Sequence, residues 1–186
     1  MAVAQRMTER DYIDLVESTP DRIWELYDGI LVEKPGVTWK HADIVEDLAD
    51  SLRRQLARRT YRVRQSDGRV RKPADTIFIP DIAVIPNAYG EEFRDRPVLA
   101  IVSGPLPLVF EVWSPSTGSY DVDTKLPIYQ QRGDLEIWRI HPFERTLTRW
   151  VRQVDGSYQD SLHRGGIITP AALPGVTVDL DQLLAI

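Results

Sequence analysis

Apolar positions recur along this chain in two rhythms. Between residues 41 and 59, Ile44, Val45, Leu48, Leu52 and Leu56 fall at helical spacing and predict a long amphipathic helix. Asp43, Glu46, Asp47 and Asp50 crowd its start and Arg53, Arg54, Arg58 and Arg59 its end, which complements the helix dipole. Upstream, Thr8-Glu9-Arg10-Asp11 reads as a capping box opening a short helix with Tyr12, Leu15 and Val16 on its apolar face. Most other segments alternate with period two or form short apolar runs. Residues 23–27 and 30–32 flank Asp28-Gly29 as a hairpin, and 61–65 alternates ahead of Asp67-Gly68, which predicts a second hairpin turn into 69–72. Strand pieces at 76–79 and 82–85 are split by Pro80-Asp81. Further apolar runs at 98–102 and 108–113 follow a polar loop at 87–97. Asp121 or Asp123 is expected to cap a helix reaching about Arg132, with Gly133 at its C-terminal end. Residues 135–140, 146–152 and 157–159 read as a strand meander, and an apolar segment, 176–186, closes the chain.

Strands that lead into a helix and a further strand favour an α/β fold, a mixed sheet flanked by helices. The N-terminal hairpin and the C-terminal meander would extend it. No repeat or linker interrupts the 186 residues, so a single domain spanning 1–186 is expected. The chain has no cysteine, which excludes disulfides, zinc thiolates and a Cys nucleophile and suits a reducing cytoplasm. The N-terminus lacks an apolar signal core. The most apolar stretch, 98–113, is broken by prolines and carries Glu111, so no membrane span is expected.

That glutamate is the first chemical clue. Leu108-Val109-Phe110-Glu111-Val112-Trp113 reads as a buried strand, and an ionised carboxylate inside it needs a cation or several donors. Asp81 opens the apolar strand after Pro80. If the two strands are neighbours, both carboxylates face one point and suit a hard cation such as Mg²⁺, with Mn²⁺ as a substitute. Net charge is −5, yet residues 53–72 carry nine basic side chains against one acid, Asp67. Arg53, Arg54, Arg58, Arg62, Arg64 and Arg69 form the natural surface for a DNA backbone. No base-reading motif accompanies them.

The ordered set Ile79-Pro80-Asp81-Ile82, Phe110-Glu111-Val112, Ser114-Pro115-Ser116-Thr117, Lys125-Leu126-Pro127-Ile128-Tyr129 and Glu136-Ile137-Trp138 resembles the Uma2 family, also known as DUF820, of restriction-endonuclease-like proteins. Glu25-Leu26-Tyr27-Asp28-Gly29 and His41 match its N-terminal pattern. The likeness runs over roughly residues 8–184. It implies the PD-(D/E)XK nuclease fold, with Asp81 and Glu111 binding Mg²⁺ and a lysine stabilising charge on the phosphate. Two residues after Glu111 stands Trp113, where the superfamily pattern has lysine; the resemblance offers Lys125 on the following helix instead. Only four of 23 basic residues are lysines, and Lys125 is one of them. Glu25 would support the metal, and His41 would line the cleft or act as a base. Each also has a structural reading: Lys125 as the ion-pair partner of Glu111, Asp81 as a turn cap, Glu25 as a solvated hairpin residue, His41 as a capping group, Tyr129 as core. The implied activity is Mg²⁺-dependent DNA endonuclease, and the alternative is a nuclease-fold binding or assembly module without catalysis. By analogy with nuclease domains of this size, a homodimer is expected.

Overall fold

Thr8 and Asp11 close the capping box reciprocally and start α1 (Glu9–Ser18), which buries Tyr12 and Val16. The computed structural model describes residues 6–72 and 75–185, so Ile186, the end of the expected closing segment, lies outside the described residues. β1 (Trp24–Tyr27) and β2 (Ile30–Glu33) form the expected hairpin. Its turn residues Asp28 and Gly29 have φ of 49° and 75°, the left-handed pair that matches strand twist.

The long helix α2 (Trp39–Gln55) is capped by Thr38 and stops short of Arg59. Gln55 turns its side-chain amide onto the Thr177 backbone, donating to the carbonyl and accepting from the amide, each at 2.8 Å. Leu56 is extended, so Arg58 and Arg59 stand in a turn beyond the helix. That turn delivers β3 (Tyr61–Gln65) to a sheet edge.

The hairpin expected at Asp67-Gly68 does not form. β3 pairs with β6 (Ile82–Pro86), whereas β4 (Arg69–Lys72) pairs with β5 (Thr76–Phe78) and β7 (Ile101–Val102). The two strands serve different cores: Val63 packs toward α2, and Val70 packs with Phe78 and Ala83. Gly68 permits the crossing, since a Cβ there would lie 2.9 Å from that of Arg64 and 3.2 Å from that of Ala83. The expected 98–102 strand shortens to β7, and a 3₁₀ helix, Asn87–Phe93, occupies part of the polar loop.

β8 (Leu108–Val112) is buried at every position. After it the chain turns helical at Gly118, earlier than the expected caps Asp121 and Asp123. α3 (Gly118–Tyr120), a π turn (Asp121–Lys125) and α4 (Leu126–Arg132) run on continuously. In the π turn the Leu126 amide reaches back five residues to the Asp121 carbonyl. That wider turn leads directly into Pro127, which has no N–H to give and whose ring crowds the preceding turn. Gly133 ends α4 at φ 77°, as expected. β9 (Glu136–His141), β10 (Thr146–Arg152) and β11 (Tyr158–His163) make the antiparallel meander. β12 (Ile167–Ile168) and β13 (Val178–Asp179) pair with each other as a separate two-stranded sheet, and α5 (Leu180–Leu183) follows.

Beside that small ribbon stand two larger mixed sheets. Six strands run β11-β10-β9-β8-β6-β3, with β8 and β9 parallel across the helical crossover, and five run β2-β1-β5-β4-β7. α2 and the C-terminal segment cover one face of the larger sheet through Leu48, Leu52, Phe110 and Trp138. α4 and the smaller sheet cover the other through Ile128, Tyr129, Val70 and Phe78.

Candidate active site

The chain passes from one sheet to the other through Ile79-Pro80-Asp81, between β5 and β6. At Ile79 side chains take the place of a strand partner, while the Asp81 carbonyl accepts from the Ser66 amide at 3.0 Å. The Ile79 amide donates to Glu25 Oε1 at 2.8 Å, and Lys34 Nζ donates to the Ile79 carbonyl at 2.9 Å. Asp81 follows. The antiparallel register that sets Ile82 opposite Phe110 continues to set Asp81 opposite Glu111, on the face shared with Ala83 and Val109. The Val112 amide donates to Asp81 Oδ2 at 2.8 Å, so the carboxylate takes over where the backbone ladder ends.

Lys125 meets Glu111 from the π turn. Its Nζ lies 3.0 Å from Glu25 Oε1, 3.2 Å from Glu111 Oε1 and 3.6 Å from Asp121 Oδ1. Tyr129, one turn on, donates its hydroxyl to Glu111 Oε1 at 2.5 Å. Lys34 Nζ is 2.9 Å from Asp81 Oδ1, and His41 Nε2 is 3.4 Å from Asp81 Oδ2. A cavity of about 330 Å³ opens onto these groups. All five residues expected in the catalytic site, Glu25, His41, Asp81, Glu111 and Lys125, therefore line it, each no more than 4% exposed.

One member was not anticipated: Lys34 reads in the sequence as a loop residue. Asp121, read as a helix cap, ranks there only as a weaker site candidate. A signal for Lys34 was present: it is one of the same four lysines whose scarcity singles out Lys125. Tyr129, expected mainly as core, is both fully buried and bonded to Glu111. Glu136 lies elsewhere, accepting from the indole of Trp138 at 2.6 Å and from the Ala172 amide at 3.2 Å.

Four carboxylates (Glu25, Asp81, Glu111, Asp121) share two ammonium groups, Lys34 and Lys125. Burial pushes Glu111 up to about 8; Lys125 pulls against this, while Asp81 and Asp121 reinforce it. One ammonium divided among three carboxylates cannot hold them all ionised. Burial also raises Asp121, despite Lys125. Asp81 goes the other way: burial would raise it, but Lys34, the hydrogen bond from His41 and the nearby charges hold it well below the usual carboxylate range. Burial works to neutralise Lys125 and is overcome by Glu111, Glu25 and Asp121, which lift it well above an ordinary lysine. Asp81 does the same for Lys34.

Fully ionised, the cluster carries two surplus negative charges, a demand that a divalent cation matches. Its donors are hard carboxylate oxygens, and His41 Nδ1 is buried with no hydrogen-bond partner among the described residues. Among the described residues no three acidic or histidine side chains are grouped as a ready metal cage. Mg²⁺ does not require one, since it keeps waters and takes one or two protein carboxylates plus substrate oxygens. The cluster fits such an ion.

A model of the family described as "Putative restriction endonuclease", Uma2, matches residues 10–181. The chain belongs to the Uma2 family. A crystal structure described as "a putative nuclease belonging to DUF820" from Anabaena variabilis ATCC 29413 is similar to this Uma2 chain at 17% identity. The match covers 87% of this chain and 89% of that one with a TM-score of 0.72, which shows a shared fold. No curated protein matches. No helix among the described residues is long and apolar enough to cross a membrane.

The expected DNA-backbone arginines gather elsewhere. Arg53, Arg58, Arg62, Arg64 and Arg69 line a separate cavity of about 940 Å³ beside the β3 edge, and Arg54 is outside its lining.

Proposed function

We propose that this Uma2-family chain is a divalent-metal-dependent nuclease that hydrolyses DNA phosphodiester bonds. What carries the reading is the buried junction where Asp81 stands opposite Glu111 and Lys125 Nζ lies between Glu25, Glu111 and Asp121. Asp81 and Glu111 would hold Mg²⁺ or Mn²⁺, which when bound supplies Lewis-acid polarisation of a phosphoryl oxygen. Lys34 and the Val112 amide keep the Asp81 carboxylate ionised and aimed. Glu111 sheds its proton as positive charge arrives. Lys125 stays cationic, so its part is to stabilise charge developing on the phosphate, not to act as a base. Glu25 holds Lys125 in place, and His41 orients Asp81. The proposal extends to one catalytic domain and to a homodimer, whose mass light scattering would check.

Thermal unfolding with millimolar Mg²⁺ or Mn²⁺ tests the metal first. A ligand at a hundredfold excess over its Kd stabilises by about 2.7 kcal/mol. A shift in the wild type that disappears in Glu111→Gln supports the reading, and metal-dependent plasmid cleavage should vanish in Lys125→Ala and Asp81→Ala. Cleavage that survives those substitutions would sink it. Plasmid binding with neither a metal shift nor cleavage would instead favour a non-catalytic binding module, since both central carboxylates are already paired with lysines.

A further inference from the structure

The arginine cavity wraps the β3 edge of the larger sheet and takes in the end of α2. In β3, Val63 packs toward the α2 core, while Arg62 and Arg64 alternate onto the other side. Arg53, Arg58 and Arg69 join them, and Arg94 enters from just past the 3₁₀ helix. Against six guanidinium groups the lining has one acid, Asp67, already 3.2 Å from Arg64. Arg62 donates through Nε to Asn87 at 3.0 Å, but its Nη1 is buried without a hydrogen-bond partner among the described residues. Arg58 is exposed and makes no hydrogen bond or ion pair among the described residues. Positive charge gathered in a concavity, with a guanidinium nitrogen left unsatisfied, calls for a polyanion.

Shape narrows the choice. A duplex presents its phosphates on a convex cylinder and cannot enter a cavity, whereas an unpaired strand can bend into one and stack bases on guanidinium planes and aromatic rings. Half-buried Phe93 supplies a ring in the lining. The volume, about 940 Å³, exceeds what a single phosphate fills. The cavity also abuts Ile85 and Pro86, at the far end of the strand that Asp81 leads into, about 13 Å away at an extended rise. We propose that this cavity binds a short single-stranded segment of nucleic acid, a flap or an unpaired end, and so selects substrates with a single-stranded part. The proposal rests on the nuclease reading for its substrate.

Binding is measured without catalysis, by anisotropy of a labelled single-stranded DNA oligonucleotide in EDTA, with wild type and with Glu111→Gln. Both should bind alike. Arg58→Ala combined with Arg64→Ala, two exposed positions whose loss leaves the fold intact, should weaken binding at least tenfold and lower the salt slope by about 1.4, at about 0.7 per phosphate on a single strand. Arg62→Gln should also weaken it. A blunt duplex of equal length should compete poorly, as should a nucleoside monophosphate, while RNA of the same sequence reports which strand chemistry is preferred. Equal competition by duplex or by monophosphate would overturn the proposal, and so would affinity unchanged in the arginine variants. Intact strand binding in a protein that never cleaves would refute the nuclease reading alone.

Discussion

Glu111→Gln in the metal-free protein isolates the electrostatics of the junction. The substitution keeps the side chain's shape and an oxygen to accept from Lys125 and Tyr129, but removes the titration. In the folded wild type burial lifts the carboxyl to about 8 from 4.5. Between those values the native state holds a proton that the unfolded chain releases. The stability tied to that proton is fully present below 4.5 and falls as pH rises, by about 1.4 kcal/mol per unit, levelling off above about 8. From about pH 6 to about pH 7.5 the loss is about 2 kcal/mol. Asp121 titrates in the same sense in both proteins, and because it shares Lys125 with Glu111, the glutamine variant frees that ammonium for it and eases its own upward shift. Asp81 is held low, so its contribution is lost only as pH falls through the acid range, outside this window. Urea unfolding of both proteins in EDTA at the two pH values reads the effect directly. The gap should open by about 2 kcal/mol in favour of the glutamine variant. Parallel curves would mean that Glu111 is ionised without metal and that Lys125 outweighs burial.

Three further outcomes follow from particular contacts. Tyr129→Phe removes the hydroxyl that donates to Glu111 at 2.5 Å and should lower urea-derived stability by about 1–3 kcal/mol, with a larger deficit above pH 8 than below it. Asp134→Ala, which strands the Leu106 amide and leaves the buried Arg132 guanidinium without its counter-charge, held by the Arg71 and Gly104 carbonyls, should reduce the same quantity by about 3–5 kcal/mol. Gly118→Ala would place a methyl 2.0 Å from the Trp113 indole nitrogen, where the ring is stacked 4.3 Å from His141. A loss of about 1–3 kcal/mol and an altered tryptophan emission should result.

What residue order alone decided was local or periodic. The Thr8–Asp11 box, the Asp28-Gly29 turn, the α2 stripe and Gly133 act within a few residues of themselves, and each stands in the structure as its chemistry dictates. The convergence of Asp81 and Glu111 was legible if their apolar strands were neighbours, as they are, and the cation that a buried Glu111 demands is Lys125. Asp67-Gly68 is the contrary case. Its dipeptide suits a hairpin, but burying Val63 and Val70 in different cores outweighs the turn and sends β3 and β4 to separate sheets. The same tertiary event leaves the Ile79 backbone without a strand partner, and with it the need that Glu25 and Lys34 answer from in and just past a hairpin roughly fifty residues away. Nothing near Lys34 in sequence marks that role. The arginine run was visible as charge, but whether it formed a flat face or a cavity depended on where β3 met the 3₁₀ helix. Short-range chemistry is written in the order of residues; which buried groups must share a charge is decided only when the sheets close on one another.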